Sequence, residues 1–321
     1  MAALRCRTKP AFWERAARLS LLLLLLMPLR AQEASSGLYA QAASALLDRS
    51  FPSRRVEYLL LDLRTRQTVA VRWAHVEKPI PVGSLLKPFV ALAFGELHAN
   101  LSSESSSTRQ FPALYCHGKQ DSCWRVGGHG SLGLEQALAE SCNAYFLALA
   151  KDLSASGDGM AAIDRVSASY GLPAPPADSI AGLGERQMPP MLIGVTPEWR
   201  IPPGALAQAY AALTAYPRSE IVSRLLNGMR LAASPGGTAA QVGQHPGGVL
   251  AKTGTAPCVP EPDASSGRCI ANGDGLVVVL TPAMNPDRLL FVRQRGTTGA
   301  QTAELAGEML SRLEEPHVQA R

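Results

Sequence analysis

Apolar and polar residues along this 321-residue chain follow two spacings, one typical of strands and one typical of helices. Two β-rich runs, Tyr58–Leu63 and Thr68–Trp73, flank the polar segment "RTRQ". Two such runs around a short polar segment predict a β-hairpin. Three more strands are predicted near the end of the chain, at Val249–Thr255, Leu276–Thr281 and Leu289–Arg293.

Helical spacing of apolar residues dominates the region between these strands. It predicts helices at Pro81–Glu96, at Leu134–Leu153 with Ser141 inside it or at a break, at Leu206–Tyr216 and at Ile221–Leu231, and a closing helix at Ala300–Leu313. Residues 100–131 are rich in Ser, Gly and Cys and are predicted to form a long loop. This order predicts an α/β sandwich, with one mixed sheet built from both ends of the chain and an all-helical lobe inserted between the second and third strands.

The first thirty residues have a different pattern. Five basic residues precede the apolar run Leu19–Leu29, and the small-residue segment "RAQEA" follows, with Ala31 as the expected cleavage position. This layout predicts a secretory signal peptide at 1–31. The run is shorter than the about 20 residues that span a bilayer comfortably, and an uncleaved anchor is the alternative. Residues 32–55 are then an N-terminal extension.

The distribution of charged residues limits the classes of partner that we expect. Residues 1–31 hold six of the 31 Lys and Arg residues and one of the 26 Asp and Glu residues, so the remainder carries 25 of each. The excess of positive charge therefore belongs to the leader. Because no basic patch of the kind that binds phosphate backbones is left, a nucleic-acid partner is not expected.

Five cysteines remain after the predicted leader, and an exported chain can form disulfides. Cys116 and Cys123 form one local pair in a loop-like segment, and Cys258 and Cys269 form another. We predict these two bridges and a free thiol at Cys142. A zinc site is less favoured, because the spacing between Cys116 and Cys123 is unusual for ligands and neighbouring histidines offer no matching second pair; no metal is therefore expected.

One helix carries candidate chemistry in its first turn. In "PVGSLLKPF", Ser84 and Lys87 are three residues apart and so share a helix face. A serine hydroxyl becomes a strong nucleophile when a base takes its proton, and a lysine can be that base if burial lowers its pKa. The alternative is structural: Ser84 caps the helix, and Lys87 extends its amine to water.

Two further motifs change the balance between these interpretations. "ESCNAYF" contains Ser141 and Asn143 as an S-x-N triplet, and "LAKTGTA" contains Lys252, Thr253 and Gly254 as K-T-G. Together with S-x-x-K, and in this order, they resemble the three motifs of penicillin-binding proteins and serine β-lactamases. The segments "PVGSLLKPF" and "KTGTA" look more like the transpeptidases of that superfamily.

The resemblance covers roughly residues 56–313, which implies a transpeptidase-like domain at 56–315 and a tail at 316–321. The fold it implies is α/β, with an antiparallel five-stranded sheet flanked by helices. It also implies a role for each motif residue: Ser84 as nucleophile, Lys87 as base, Ser141 as proton relay, Asn143 and Lys252 as groups that hold substrate. By the same resemblance Thr253, Gly254 and Thr255 bind substrate, and the backbone N–H groups of Ser84 and Thr255 form the oxyanion hole.

The family's substrates are peptidoglycan stem peptides that end in D-Ala–D-Ala, and β-lactam antibiotics imitate them. The resemblance therefore implies a D,D-transpeptidase or D,D-carboxypeptidase without a cofactor, in the periplasm or on the outer face of the cytoplasmic membrane. Other cell-wall synthesis or remodelling proteins are expected partners, and a membrane is one if the leader stays uncleaved. A class D-like β-lactamase and a catalytically idle β-lactam-sensing or scaffold domain are the alternatives. An insertion at 256–273 at the rim of the site departs from the family pattern.

Overall fold

The computed structural model of the chain describes residues 37–99, 111–184, 186–215, 219–259 and 273–314. In this part of the chain no helix is both long and apolar enough to cross a membrane. The predicted leader, the C-terminal tail and most of the 256–273 insertion lie outside the described residues.

Strands lie near both ends of the described chain, with shorter ones between. In chain order they are β1 (Val56–Asp62), β2 (Gln67–Arg72), β3 (Ile80–Pro81), β4 (Leu114–Cys116), β5 (Gly130–Leu132), β6 (Arg200–Ile201), β7 (Leu250–Ala256), β8 (Asp274–Thr281) and β9 (Arg288–Arg295).

Helices fill most of the middle of the chain. They are α1 (residues 37–50), α2 (Lys87–Ala99), α3 (Leu134–Ala139), α4 (Asn143–Ala155), α5 (Gly159–Ser169), α6 (Ala177–Gly182), α7 (Met188–Leu192), α8 (Pro203–Ala215), α9 (Glu220–Ala232) and α10 (Gly299–Glu314). Short 3₁₀ turns lie at Gly83–Leu86, Gly118–Asp121 and Ala240–Gln244.

The central sheet has five strands in the order β2-β1-β9-β8-β7, and every neighbouring pair is antiparallel. The two ends of the chain pair directly, since Leu59 of β1 lies opposite Phe291 of β9. The sheet is thus antiparallel as the resemblance implies, and the mixed sheet expected from element order alone is corrected. The inserted lobe lies between the second and third strands of this sheet, as predicted.

Both faces of the sheet are covered. In β8, Leu276, Val278 and Leu280 pack into a core shared with the helical lobe, whereas Val277 and Val279 pack into a second core with α1 and α10. Side chains alternate between the faces of a strand, so a strand covered on both sides reads as a continuous apolar run. This explains the sequence "GLVVVL".

The inserted lobe is not entirely helical. Within residues 111–131, which we predicted to be loop, β4 and β5 form a small antiparallel hairpin around the 3₁₀ turn at Gly118–Asp121. β3 and β6 form a second two-stranded pair. Three-residue strands are too short to show a period of two, so the sequence pattern does not reveal them.

The N-terminal extension contributes to the fold. α1 buries Ala43 and Leu47 completely against the sheet. Asp48, at its end, accepts a hydrogen bond of 2.7 Å from the Tyr58 hydroxyl and pairs with Arg72. Residues 37–50 therefore pack as part of the same unit as the sheet, beyond the domain limit at residue 56 expected from the motifs.

Candidate active site

The nucleophile candidate lies where a 3₁₀ turn leads into α2. Gly83 has φ +57°, a conformation that glycine adopts without strain. A Cβ at this position would lie 2.6 Å from the carbonyl oxygen of Thr255, so the glycine lets the turn approach β7 closely. Ser84 follows at the surface of the turn, and Lys87 begins α2 with its side chain fully buried.

Lys87 is the centre of a polar network. Its Nζ donates to the carbonyl oxygen of Ser141 and to Asn143 Oδ1, each at 2.7 Å, and to Ser141 Oγ at 3.3 Å. Burial lowers the pKa of Lys87 to about 7, against the opposing effect of nearby Cys142 and Cys123. A lysine whose pKa lies there can take up a proton near neutral pH.

Among the described residues no hydrogen bond joins Lys87 to Ser84, and the acceptors of Lys87 lie in the second motif. In unliganded enzymes the bond between a base and its nucleophile is often long and tightens only when substrate binds. Ser84 lines the same cleft as Ser141 and Asn143, the two acceptors of Lys87.

The second motif lies at a break between two helices, as the sequence analysis allowed. Ser141 has φ +51°, and its N–H donates to the carbonyl oxygen of Leu138 in the last turn of α3. Cys142 then precedes α4 with an extended backbone. The left-handed residue turns the chain so that the Ser141 hydroxyl and the Asn143 amide both reach Lys87.

Lys252 approaches the same hydroxyl from β7. It is fully buried, and its Nζ donates to Ser141 Oγ at 2.8 Å and to the carbonyl oxygen of Thr253 at 2.8 Å. Burial and the nearby charge of Lys87 hold the pKa of Lys252 well below its usual range. Ser141 Oγ thus lies between two buried amines, and a hydroxyl in that position can both accept and donate a proton.

The three K-T-G-T positions after Lys252 have different surroundings. Thr253 donates its hydroxyl proton to Thr238 Oγ1 at 2.7 Å, whereas Thr255 is exposed and accepts a hydrogen bond from the Gly299 N–H at 3.0 Å. In this arrangement the proton of the Thr255 hydroxyl is the one left to bind a ligand. A Cβ at Gly254 would lie 2.8 Å from the carbonyl oxygen of Val82, so this glycine is needed where β7 packs on the Ser84 turn.

These residues line one cleft of about 720 Å³. Its lining includes Ser84, Ser141, Asn143 and residues 253–255, whereas the side chains of Lys87 and Lys252 are fully buried next to it. Within the described residues β7 is an edge strand, and its outer side is not paired with another strand of the sheet.

Other cleft residues carry no sequence signal that could have found them. The lining also includes Trp124, which is half exposed, and residues 298–300. Thr238 holds Thr253 and donates to the carbonyl oxygen of Ala139 at 3.1 Å. None of these residues belongs to a recognisable motif, so only the fold connects them to the site.

The cysteines differ from the prediction. Cys116 and Cys123 are free buried thiols, so the predicted bridge between them is wrong. Cys142 is a free thiol, as predicted, but it lies 3.8 Å from Cys123 and not apart from the pair. Cys269 lies outside the described residues, so the Cys258–Cys269 bridge stays a prediction; Cys258 itself lines the cleft.

No family model matches the chain, and no curated protein matches it by sequence. Solved structures do match. The penicillin-binding protein PBP2 of Helicobacter pylori, solved in complex with MreC, matches with a TM-score of 0.66 and 14% identity over 85% of this chain and 62% of that one. The chain thus spans less than two thirds of that protein.

Two more matches are similar in extent. PBP2 of Pseudomonas aeruginosa, in complex with WCK 5153, has a TM-score of 0.63 and 18% identity over 86% of this chain and 76% of its own. The transpeptidase domain of Burkholderia pseudomallei penicillin-binding protein 3 has a TM-score of 0.62 and 15% identity over 89% of this chain and 94% of its own. At these identities the comparisons establish the fold, which is that of penicillin-binding protein transpeptidase domains.

Proposed function

We propose that the protein is a serine acyl-transferase or hydrolase that acts on peptidoglycan stem peptides ending in D-Ala–D-Ala and binds penicillin covalently through Ser84. The single observation that carries the proposal is the position of Ser141 Oγ between Lys87 and Lys252, in the cleft that Ser84 also lines. A serine, a lysine whose pKa burial lowers to about 7 and a hydroxyl that joins two amines are the groups that acyl transfer needs.

The first half of the reaction forms an ester. Ser84 Oγ attacks the carbonyl carbon of the D-Ala–D-Ala bond, or of a β-lactam ring, while neutral Lys87 takes the hydroxyl proton. The new C–O bond places negative charge on the carbonyl oxygen, which the backbone N–H groups of Ser84 and Thr255 stabilise. Lys87 then returns its proton through Ser141 to the leaving nitrogen, the C–N bond breaks, and the acyl group stays on Ser84.

Binding is assigned to the cleft walls. The side-chain oxygen of Asn143 accepts a hydrogen bond from Lys87, and an N–H of its amide group donates to the substrate's amide carbonyl. The Thr255 hydroxyl receives the terminal carboxylate, and the negative charge of that carboxylate favours the protonated form of the buried Lys252 when substrate is bound. Thr253 donates its hydroxyl proton to Thr238, so it contributes to the carboxylate site through its position in β7 and not through its own hydroxyl proton.

The cleft favours a lasting acyl-enzyme over rapid hydrolysis. Among its lining residues in the described part of the chain there is no Asp, Glu or His that could activate a water molecule. A β-lactamase must release its acyl group quickly, and in a class D-like enzyme a carbamylated Lys87 would activate the water. The S-x-N motif at Ser141 and Asn143, in place of the S-x-V of that class, supports a penicillin-binding protein instead.

Partners and location follow the same proposal. H. pylori PBP2 was solved with MreC, and another neighbour belongs to a peptidoglycan synthase complex. We extend this to the chain as binding to other cell-wall synthesis proteins outside the cytoplasmic membrane. Cleavage after residue 31, read by N-terminal sequencing of the exported protein, tests the location.

Intact-mass analysis with benzylpenicillin tests the chemistry. The wild-type chain should gain a single penicilloyl group that persists for many minutes, and Ser84→Ala should gain none. Ser154→Ala is a matched control, because within the described residues that serine bonds only to the carbonyl oxygen of Ala150 on α4. An adduct lost rapidly with continuing β-lactam turnover would favour the β-lactamase, and the absence of any adduct would favour the idle scaffold.

A further inference from the structure

Three cysteines and a histidine converge beside the second motif. The Sγ atoms of Cys116, Cys123 and Cys142 and a ring nitrogen of His129 all lie within 4.8 Å of one another. His129 Nδ1 is 3.3 Å from Cys123 Sγ and 3.5 Å from Cys116 Sγ, and the Sγ atoms of Cys123 and Cys142 are 3.8 Å apart.

These separations match a tetrahedral metal site. With Zn–S bonds of about 2.3 Å and Zn–N bonds of about 2.0 Å, tetrahedral angles place two sulfurs about 3.8 Å apart and a sulfur and a nitrogen about 3.5 Å apart. A disulfide, by contrast, needs sulfurs about 2.05 Å apart and would leave one of the three thiols over. The observed spacing is therefore that of ligands around a central ion.

The four residues come from separate places in the lobe. Cys116 ends β4, Cys123 follows the 3₁₀ turn, His129 precedes β5 and Cys142 precedes α4. The sequence disfavours zinc because the local cysteines and histidines lack a matching second ligand pair. The fourth residue of this cluster, Cys142, comes from the S-x-N motif, and no spacing along the hairpin predicts its approach.

The hairpin loop is shaped to bring these side chains together. Gly118 and Gly128 have φ +83° and +76°. A Cβ on Gly128 would lie 2.1 Å from the carbonyl oxygen of Cys116, and one on Gly118 would lie 2.1 Å from the carbonyl oxygen of Val126. Only glycine allows the two sides of the loop this close approach.

The surroundings of His129 also fit a metal site. His129 is fully buried, and its Nε2 makes no hydrogen bond within the described residues but lies 3.4 Å from Glu140 Oε2. If Nδ1 holds a metal, Nε2 carries the proton and faces this carboxylate, an arrangement common behind metal-bound histidines. Arg125 and Gln136 donate to the two oxygens of Glu140 and fix it in place.

We propose that Cys116, Cys123, Cys142 and His129 Nδ1 bind one structural Zn²⁺ ion. Thiolates with one imidazole are ligands that zinc prefers, and four protein ligands close the site so that no position is left for substrate.

The site would act on the cleft through the chain. Cys142 is the residue between Ser141 and Asn143, and the Asn143 amide also contacts the carbonyl oxygen of Ser122, next to Cys123. A metal on both cysteines would hold the S-x-N turn in the geometry that reaches Lys87. Metal binding itself does not depend on the proposed acyl-transfer function, whereas this supporting role rests on it.

Metal content of the full exported chain tests the site directly. Elemental analysis of protein purified without chelator should find about one zinc per chain, as a closed four-ligand site requires. Replacement by Co²⁺ should give visible bands of a tetrahedral ion together with thiolate-to-cobalt charge transfer. Removal of zinc should expose the three thiols to modification and lower the melting temperature.

Substitutions test whether these four side chains hold the bound zinc. Cys116→Ser and His129→Ala should lose most of the bound zinc, while His117→Ala, an exposed histidine of the same loop, should keep it. If the first two fail to fold, His129→Cys keeps four ligands and should bind zinc with a changed cobalt spectrum.

Two results would overturn the site: zinc at background level in folded protein with three free thiols, or a Cys123–Cys142 disulfide in peptide maps of unreduced protein. Penicillin acylation measured on the same samples separates the two proposals. Zinc without acylation would contradict the function alone, and acylation without zinc would contradict the metal site alone.

Discussion

At the scale of single residues, the site depends on two lysines that are both fully buried and both bonded to one hydroxyl. Removing an ammonium group from water disfavours its charge, and two such groups disfavour each other further. Burial lowers the pKa of both lysines, and the pKa of Lys87 falls to about 7, so its neutral form is accessible at physiological pH.

We therefore expect a pH profile for acylation by benzylpenicillin that is governed by Lys87. The neutral amine is the reactive form, so the second-order rate should rise as the pH increases through about 7 and level off above it. Stopped-flow or quenched mass measurements across the pH range read this profile. A rate that is flat across neutral pH would contradict Lys87 as the base.

Lys87→Arg should reduce acylation by about 10²–10⁴-fold, which is the usual contribution of a general base. Arginine keeps the positive charge but does not release its proton in proteins. Lys151→Arg, on the exposed face of α4, is the matched control and should acylate at the wild-type rate. Near-normal acylation by Lys87→Arg would show that another group takes the Ser84 proton.

At the scale of elements, the sequence predicted the segments whose chemistry or periodicity is regular. The hairpin, the three late strands and the break at Ser141 appear close to where they were expected. The β4–β5 hairpin and the cysteine arrangement were not predicted, because both depend on which loop faces which helix. Spacing along the chain contains no information on the approach of Cys142 to Cys123.

The contact between β7 and the Ser84 turn gives the prediction at this scale. Gly254→Ala would place a methyl group 2.8 Å from the carbonyl oxygen of Val82 and 3.1 Å from Leu85 Cγ, closer than ordinary packing allows. The turn must then shift away from the strand, and acylation should fall well below the wild-type rate while the protein stays folded.

Gly157→Ala is the control for this change, because a Cβ there meets no atom within 4 Å. Acylation rates of both variants, with circular dichroism to verify folding, provide the comparison. Equal rates for Gly254→Ala and wild type would mean that the close packing of turn and strand is not needed for reaction.

At the scale of the whole molecule, the central sheet separates two hydrophobic cores. One face supports the helical lobe that carries Ser84, Lys87 and the S-x-N turn, and the other face is closed by α1 and α10. Lys252 lies in β7 of this sheet, and its amine donates a hydrogen bond to the Ser141 hydroxyl in the cleft. α1 was not predicted as part of the domain, because its short alanine-rich pattern is not distinctive and the motifs begin after it.

Because α1 closes the second core, its apolar face should stabilise the entire domain. Leu47 is completely buried, so Leu47→Ala should lower the free energy of unfolding by about 2–5 kcal/mol, the usual result of removing a buried leucine side chain. Leu38→Ala, on the same helix but 57% exposed, should change it by less than about 0.5 kcal/mol. Urea unfolding followed by circular dichroism measures both, and equal small effects would mean that α1 packs on the sheet without stabilising it.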